Sequence, residues 1–205
     1  MRHRASPGDT APPRCRWSRL RGMKPYDYAR RSGVYEMSWR DFAELCTRMA
    51  ELLEPFRPDL VVGNARGGLF PATQLAIMLR KELIPVRLSR RVDDEVVYEE
   101  PTWRVPLAAE VAGKTVAVVD DIVDTGTTLR ILTLRAHELG AGRVVTAALA
   151  SHSWAEPSPD VSGIVTDAFV IFPWDRQVLV KGQWAPHPEI AAALEALEEG
   201  DAAEA

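Results

Sequence analysis

Cysteine is scarce: Cys15 and Cys46 are the only two in 205 residues. That is too few for a disulfide framework or a four-ligand zinc site, and it suits a reducing cytoplasm. No apolar run reaches the length that crosses a bilayer. Positive charge is not in excess either; the formal net charge is −4, which argues against a nucleic-acid binder. A Gly-x-x-x-x-Gly-Lys-Ser/Thr turn is missing, so a P-loop ATPase is excluded. There is no internal repeat. At this length one domain, or one domain with a small appendage, can bury a real core.

The first 22 residues are rich in Arg and Pro, with six arginines, one acid and no apolar block. Without an h-region they are no secretory signal. The expectation is a disordered basic head, with Met23 as the true start and residues 1–22 dispensable. Residues 23–187 are expected to form the functional domain. Residues 188–205 should be a C-terminal helix and acidic tail.

The chain is organised around Val116-Ala117-Val118-Val119-Asp120-Asp121-Ile122-Val123-Asp124-Thr125-Gly126-Thr127-Thr128. The β-branched run reads as a strand buried on both faces, as in a parallel sheet. It ends in two acids, then a Thr/Gly turn, then helical spacing from Leu129 to Leu139. Acids at the carboxyl end of a parallel strand sit where open α/β sheets bind ligands. The turn from Asp124 through Thr125, Gly126 and Thr127 to Thr128 would aim N–H groups and hydroxyls at one spot over a helix N-terminus, an anion cradle suited to phosphate. An ordinary strand–turn–helix with two solvated acids is the plainer alternative.

A second site of the same kind lies upstream. The core strand Asp59-Leu60-Val61-Val62-Gly63 runs into Asn64-Ala65-Arg66-Gly67-Gly68, and a helix should follow to about Lys81. Glycines let the backbone approach an anion, and Arg66 adds a fork of donors. Before it, Ser38 and Asp41 form a capping box for a helix whose apolar residues are Phe42, Leu45, Met49, Leu52 and Leu53. Strands are expected at Ile84–Leu88 and Arg143–Leu149, so the middle of the chain alternates β and α. Arg90 to Pro101 is charged and Pro-punctuated, readable as a mobile β-ribbon lid or as a solvated hairpin. Cys46 falls in the first helix.

The two anion loops together resemble the signature of type I phosphoribosyltransferases, a hydrophobic strand, two acids, then Asp-Thr-Gly-x-Thr. Ala65-Arg66-Gly67-Gly68 and Ala168-Phe169-Val170-Ile171-Phe172-Pro173-Trp174-Asp175 resemble elements of the xanthine/hypoxanthine-guanine branch. The resemblance covers about Tyr35 to Val180. It implies an α/β fold with a doubly wound, mostly parallel central sheet, flanking helices, a small hood and a mobile β-ribbon lid. It further implies transfer of a phosphoribosyl group from phosphoribosyl pyrophosphate to a purine, taken as a 6-oxopurine, in salvage. Ala65, Arg66, Gly67 and Gly68 would bind pyrophosphate, across a cis peptide at Ala65–Arg66, with Arg87 and Arg90 as further phosphate contacts. Residues Asp124, Thr125, Gly126, Thr127 and Thr128 would hold the 5′-phosphate. Asp120 and Asp121 would hold the ribose hydroxyls directly or through Mg²⁺, with Asp175 a third metal ligand. Asp124 would accept the proton at purine N7, Phe169 would stack on the base, and Val170 would bond its edge. Phe172 and Trp174 are expected in the core.

The resemblance has one departure. Relatives commonly place a lysine after the strand matching Val144–Leu149, bonding the 6-oxo group, but nothing between Leu149 and Ser162 is Lys or Arg. His152 is the nearest residue able to donate there, or else it is a solvent-facing loop residue. Expected partners are small-molecule substrates in a cytoplasmic homo-oligomer, with no nucleic acid and no membrane. A same-fold enzyme for another base stays open, as does a non-catalytic regulator that senses phosphoribosyl pyrophosphate or a nucleotide, although both phosphate loops are intact.

Overall fold

The computed structural model describes residues 31–92 and 95–204. The expected head and its boundary at residue 22 therefore lie outside the described residues. In chain order the elements are β1 (Val34–Glu36), α1 (Trp39–Leu53), β2 (Leu60–Asn64), α2 (Leu69–Leu79), β3 (Glu82–Ser89), β4 (Arg91–Val92), β5 (Glu95–Val96) and β6 (Thr102–Val105). There follow β7 (Thr115–Val123), α3 (Thr127–Glu138), β8 (Arg143–Ser151), β9 (Val161–Val165), β10 (Phe169–Ile171), β11 (Gln177–Val180), β12 (Gln183–Pro186) and α4 (Pro188–Glu204).

The central sheet has six strands in the order β6-β3-β2-β7-β8-β9. All neighbours are parallel except the edge pair β3–β6. The middle strand β7 reads as it does because both its faces are covered. Ala117 and Val119 join Phe42, Cys46, Met49 and Leu75 in one core layer; Val116 and Val118 join Leu129, Leu132 and Ala136 in the other. Helices on both faces of a mostly parallel sheet make this the doubly wound α/β fold expected. Ser38 Oγ accepts from Asp41 N at 3.1 Å and Asp41 Oδ2 accepts from Ser38 N at 2.8 Å, so the capping box starts α1. Cys46 is fully buried, and burial pushes its thiol up to about 12; it is core, with no thiolate to offer.

A smaller unit stands beside the sheet where the hood is expected. β1 pairs in parallel with β10, and β11 pairs antiparallel with β12. Val178 and Leu179 therefore build a separate hairpin and leave the central sheet's edge alone. α4 runs from Pro188 to Glu204, so helix continues through the stretch expected as an acidic tail. The charged stretch after β3 does form a ribbon: β4 and β5 are antiparallel, and β6 returns against β3.

Candidate active site

The sheet topology brings the ends of β2, β3, β7 and β8 to one side. There they open onto a cleft of about 820 Å³ lined by both glycine loops, the acid pair and the Phe169 segment. That size suits a small-molecule substrate.

β7 extends further than the sequence suggests. Its hydrogen-bonded register reaches Val123↔Ser151, so both acids lie in the strand, and Asp121 is held by the strand and not by the turn. Asp120 is buried and Asp121 half-buried. Asp120 Oδ2 accepts from Asn64 Nδ2 at 3.2 Å, while Asn64 Oδ1 accepts from Leu88 N at 2.9 Å. Asn64 thus ties β2, β3 and β7 together beneath the site. The one sign of it in the sequence is an amide ending an otherwise apolar strand. Asp121 Oδ1 accepts from Ile122 N at 2.9 Å, and Asp120 Oδ1 accepts from Asp121 N at 3.1 Å. Burial pushes both carboxyls up from the usual carboxylate range, and for Asp120 the neighbouring Asp121 charge adds to it.

The Ala65–Arg66 peptide is cis, as the resemblance implies. The glycines after it are required by packing. A Cβ on Gly67 would overlap the Asp121 carboxylate, and one on Gly68 would stand 2.6 Å from Asn64 O and 2.7 Å from Asp120 Oδ1. The loop therefore lies directly on the acid pair. Arg66 is exposed at the cleft wall. Arg87 also lines the cleft, and its Nε is buried without a hydrogen-bond partner among the described residues. A buried, unsatisfied guanidinium N–H fits an anionic ligand.

The turn after β7 is shaped by Gly126, at φ +82°, which precedes the first residue of α3. Thr125 and Thr127 hydroxyls are 3.0 Å apart, and the whole turn lines the cleft. Asp124, half-exposed, accepts from Trp154 Nε1 at 3.0 Å and pairs with Arg31 at 3.2 Å. Sequence reasoning gave neither Arg31 nor Trp154 a role. Arg31 carries no local signal, since it follows an arginine-rich stretch without periodicity.

Phe169 and Val170 line the cleft, Phe169 half-buried and Val170 buried. Phe172 and Trp174 pack as core aromatics. Trp174 is sandwiched between Phe70 and Phe172, with ring centroids at 4.2 and 4.8 Å and planes within 4° of parallel. The stack ties the start of α2 to the segment carrying Phe169. Asp175 lines the same cleft, but among the described residues no three of His, Cys, Asp and Glu gather as a metal cluster. The expected three-carboxylate set is therefore not preassembled.

His152 is buried, 3% exposed, so the solvent-facing alternative fails. Its Nδ1 lies 2.6 Å from Thr166 O. A carbonyl only accepts, so Nδ1 carries the proton and Nε2 of the neutral ring is an acceptor. Burial, then the nearby Arg31 charge, lower its pKa and favour that neutral form. The expected donation from His152 to a 6-oxo group is corrected accordingly: the neutral ring spends its N–H on the backbone.

An α/β sheet that gathers a carboxylate pair and two glycine-shaped loops around one cleft has the build of an enzyme site with groups suited to an anionic substrate. Residues 39–179 match the phosphoribosyl transferase domain, and the chain belongs to that family. It is 33% identical over 149 residues to the xanthine-guanine phosphoribosyltransferase of Gluconobacter oxydans, covering 71% of this chain and 84% of that one. It is 36% identical over 124 residues to the adenine phosphoribosyltransferase of Thermotoga petrophila, covering 57% of this chain and 72% of that one. Among solved structures, the purine phosphoribosyltransferase of Pyrococcus horikoshii superposes with a TM-score of 0.65 at 28% identity, over 73% of this chain and 99% of that one. No helix among the described residues is long and apolar enough to cross a membrane.

The buried acid pair permits a first prediction. Two carboxylates forced together destabilise the free protein, so Asp120→Asn should not lower the ligand-free thermal midpoint, while transfer falls steeply. Differential scanning calorimetry beside an activity assay checks both halves. A clear drop in midpoint would mean that Asp120 serves mainly to hold Asn64 and the strands.

Proposed function

We propose that this phosphoribosyltransferase moves the phosphoribosyl group of phosphoribosyl pyrophosphate onto a 6-oxopurine, hypoxanthine, guanine or xanthine, releasing pyrophosphate. The observation that carries this reading is the single cleft into which both anion loops, the acid pair and Phe169 converge. Relatives named for xanthine-guanine and for adenine transfer both support a purine acceptor.

The chemistry needs a stabilised leaving group, carboxylates near a cationic ribose, and a grip on the 5′-phosphate. Arg66 and the Gly67 and Gly68 amides bind the pyrophosphate, with Arg87 directing its buried N–H toward the anion. Asp120 and Asp121 hold the ribose hydroxyls and stabilise positive charge at C1′. Residues Asp124 to Thr128 cradle the 5′-phosphate, and Asp124 takes the proton from purine N7. Phe169 stacks on the base and Val170 bonds its edge. The lid stretch that carries β4 and β5 closes over the cleft, where Arg90, Glu99 and Glu100 already form part of the wall.

The donor set fits magnesium brought with the substrate better than a resident ion. Mg²⁺ keeps several waters and takes one or two carboxylates plus substrate phosphates, and Asp120 and Asp121 offer a buried and a half-buried carboxylate whose repulsion a cation would relieve. Bound there with the pyrophosphate, magnesium neutralises charge on the leaving group. Asp175, which lines the same cleft, would be a further carboxylate for the ion.

The test is to mix the protein, phosphoribosyl pyrophosphate and Mg²⁺ with a panel of bases and follow nucleotide and pyrophosphate. No product with any purine would reject the reading. Binding of phosphoribosyl pyrophosphate without any turnover would favour the regulator that senses it.

Arg66→Ala is expected to weaken phosphoribosyl pyrophosphate about tenfold or more, with little effect on the product nucleotide, which has no pyrophosphate. Calorimetric titration of both ligands decides it; equal losses would place Arg66 elsewhere.

A further inference from the structure

The structure supplies a cation that the sequence around His152 lacks, and it comes from the other end of the chain. Resting on the purine transfer proposed above, we propose that Arg31 reads the 6-oxo group of the base and sets the preference for 6-oxopurines over adenine. Arg31 is carried into the cleft by the strand that follows it. Ser32 N donates to Asp167 O at 2.9 Å, Phe169 N donates to Gly33 O at 2.9 Å, and β1 then runs parallel to β10. The segment presenting the stacking ring therefore also fixes the arginine.

The guanidinium is well placed. Its side chain is only 4% exposed, sits 3.2 Å from Asp124 Oδ1, and lies over Trp154 at 4.9 Å from the ring centroid. Trp154 donates to that same Asp124 oxygen and stacks on His152 at 4.6 Å. Arg31, Asp124, His152 and Phe169 line one cleft.

Purine N7 and the 6-substituent are neighbours on one edge. With Asp124 at N7, the group beside Asp124 meets the 6-substituent. An arginine only donates, so it accepts a 6-oxo partner and meets donor against donor at a 6-amino group. His152 complements it, because the Nε2 of its neutral ring accepts and meets no protein partner among the described residues. A 6-oxopurine carries a donor N1–H beside its oxo group; adenine carries a lone pair there.

The test compares wild type, Arg31→Ala and Arg31→Lys by kcat/KM on hypoxanthine, guanine, adenine and unsubstituted purine. Wild type should favour hypoxanthine and guanine. Arg31→Ala should lower transfer to every base through the lost Asp124 pairing, with a further loss of about 10- to 100-fold on hypoxanthine and guanine relative to unsubstituted purine, and Arg31→Lys should recover part of that selective loss. Should Arg31→Ala fail to fold, the Lys variant and an Arg31→Gln variant carry the same comparison. Equal loss on every base would make Arg31 merely the partner of Asp124, and would overturn the assignment, as would a wild-type preference for adenine. A wild type inactive on all purines rejects the proposed function itself, a separate result.

Discussion

Replacing Asp124 with asparagine should cut transfer by about 10²–10⁴ in kcat, the usual cost of losing a general base. The side chain is half-exposed at the mouth of the 5′-phosphate turn and is gripped from two sides, by Trp154 Nε1 at 3.0 Å and by Arg31 at 3.2 Å. An amide of the same shape keeps an oxygen for the indole N–H, so the fold should be retained. It cannot take a proton from N7, and its charge no longer balances the Arg31 guanidinium. The expected pattern is a collapsed kcat with phosphoribosyl pyrophosphate still bound, since the Thr125, Thr127 and Thr128 groups remain. Single-turnover rates and calorimetric binding on the same sample separate the two. If turnover on the best base stays near wild type, Asp124 is a structural anchor for Trp154 and the proton goes elsewhere.

The fold was legible because its signals are local and repeat. The β-branched run at Val116 to Val119 needs cover on both faces, and both core layers provide it. The two glycine loops were legible for the same reason, since a strand, a turn residue and a helix start stand next to one another in sequence. What escaped is what distant segments build. Arg31 reaches Asp124 only because β1 pairs with β10, across more than a hundred residues. The hairpin of β11 and β12 left little pattern, its residues being mostly exposed on both faces. His152 shows the limit most clearly. Its presence near the base site was readable, but the direction of its hydrogen bond was not, because Thr166 O, fourteen positions away, decides the tautomer.

Gly126→Ala should damage both stability and substrate binding, and a second glycine shows why. Gly126 has φ +82°, a region that costs an L-residue about 1–2 kcal/mol. Its added Cβ would also stand 2.5 Å from the carbonyl carbon and oxygen of Glu156, which are backbone atoms and cannot swing aside. Gly113, with φ +73°, has nothing within 4 Å of the same added atom. Gly113→Ala therefore reports the backbone strain alone, and should lower the thermal midpoint by about 2–8 °C for a chain of this size. Gly126→Ala carries that strain and a collision, so its midpoint should fall several degrees further. The turn must then move away from the Glu156–Pro157 segment, carrying the Thr125 and Thr127 hydroxyls and the first N–H groups of α3 out of register with a 5′-phosphate. A rise in KM for phosphoribosyl pyrophosphate of about 10²-fold should follow from misplacement on the scale of an ångström. Gly113→Ala should leave that KM unchanged. Equal midpoint losses in the two variants, with KM untouched in both, would show that the turn tolerates displacement and that the 5′-phosphate is held by other groups.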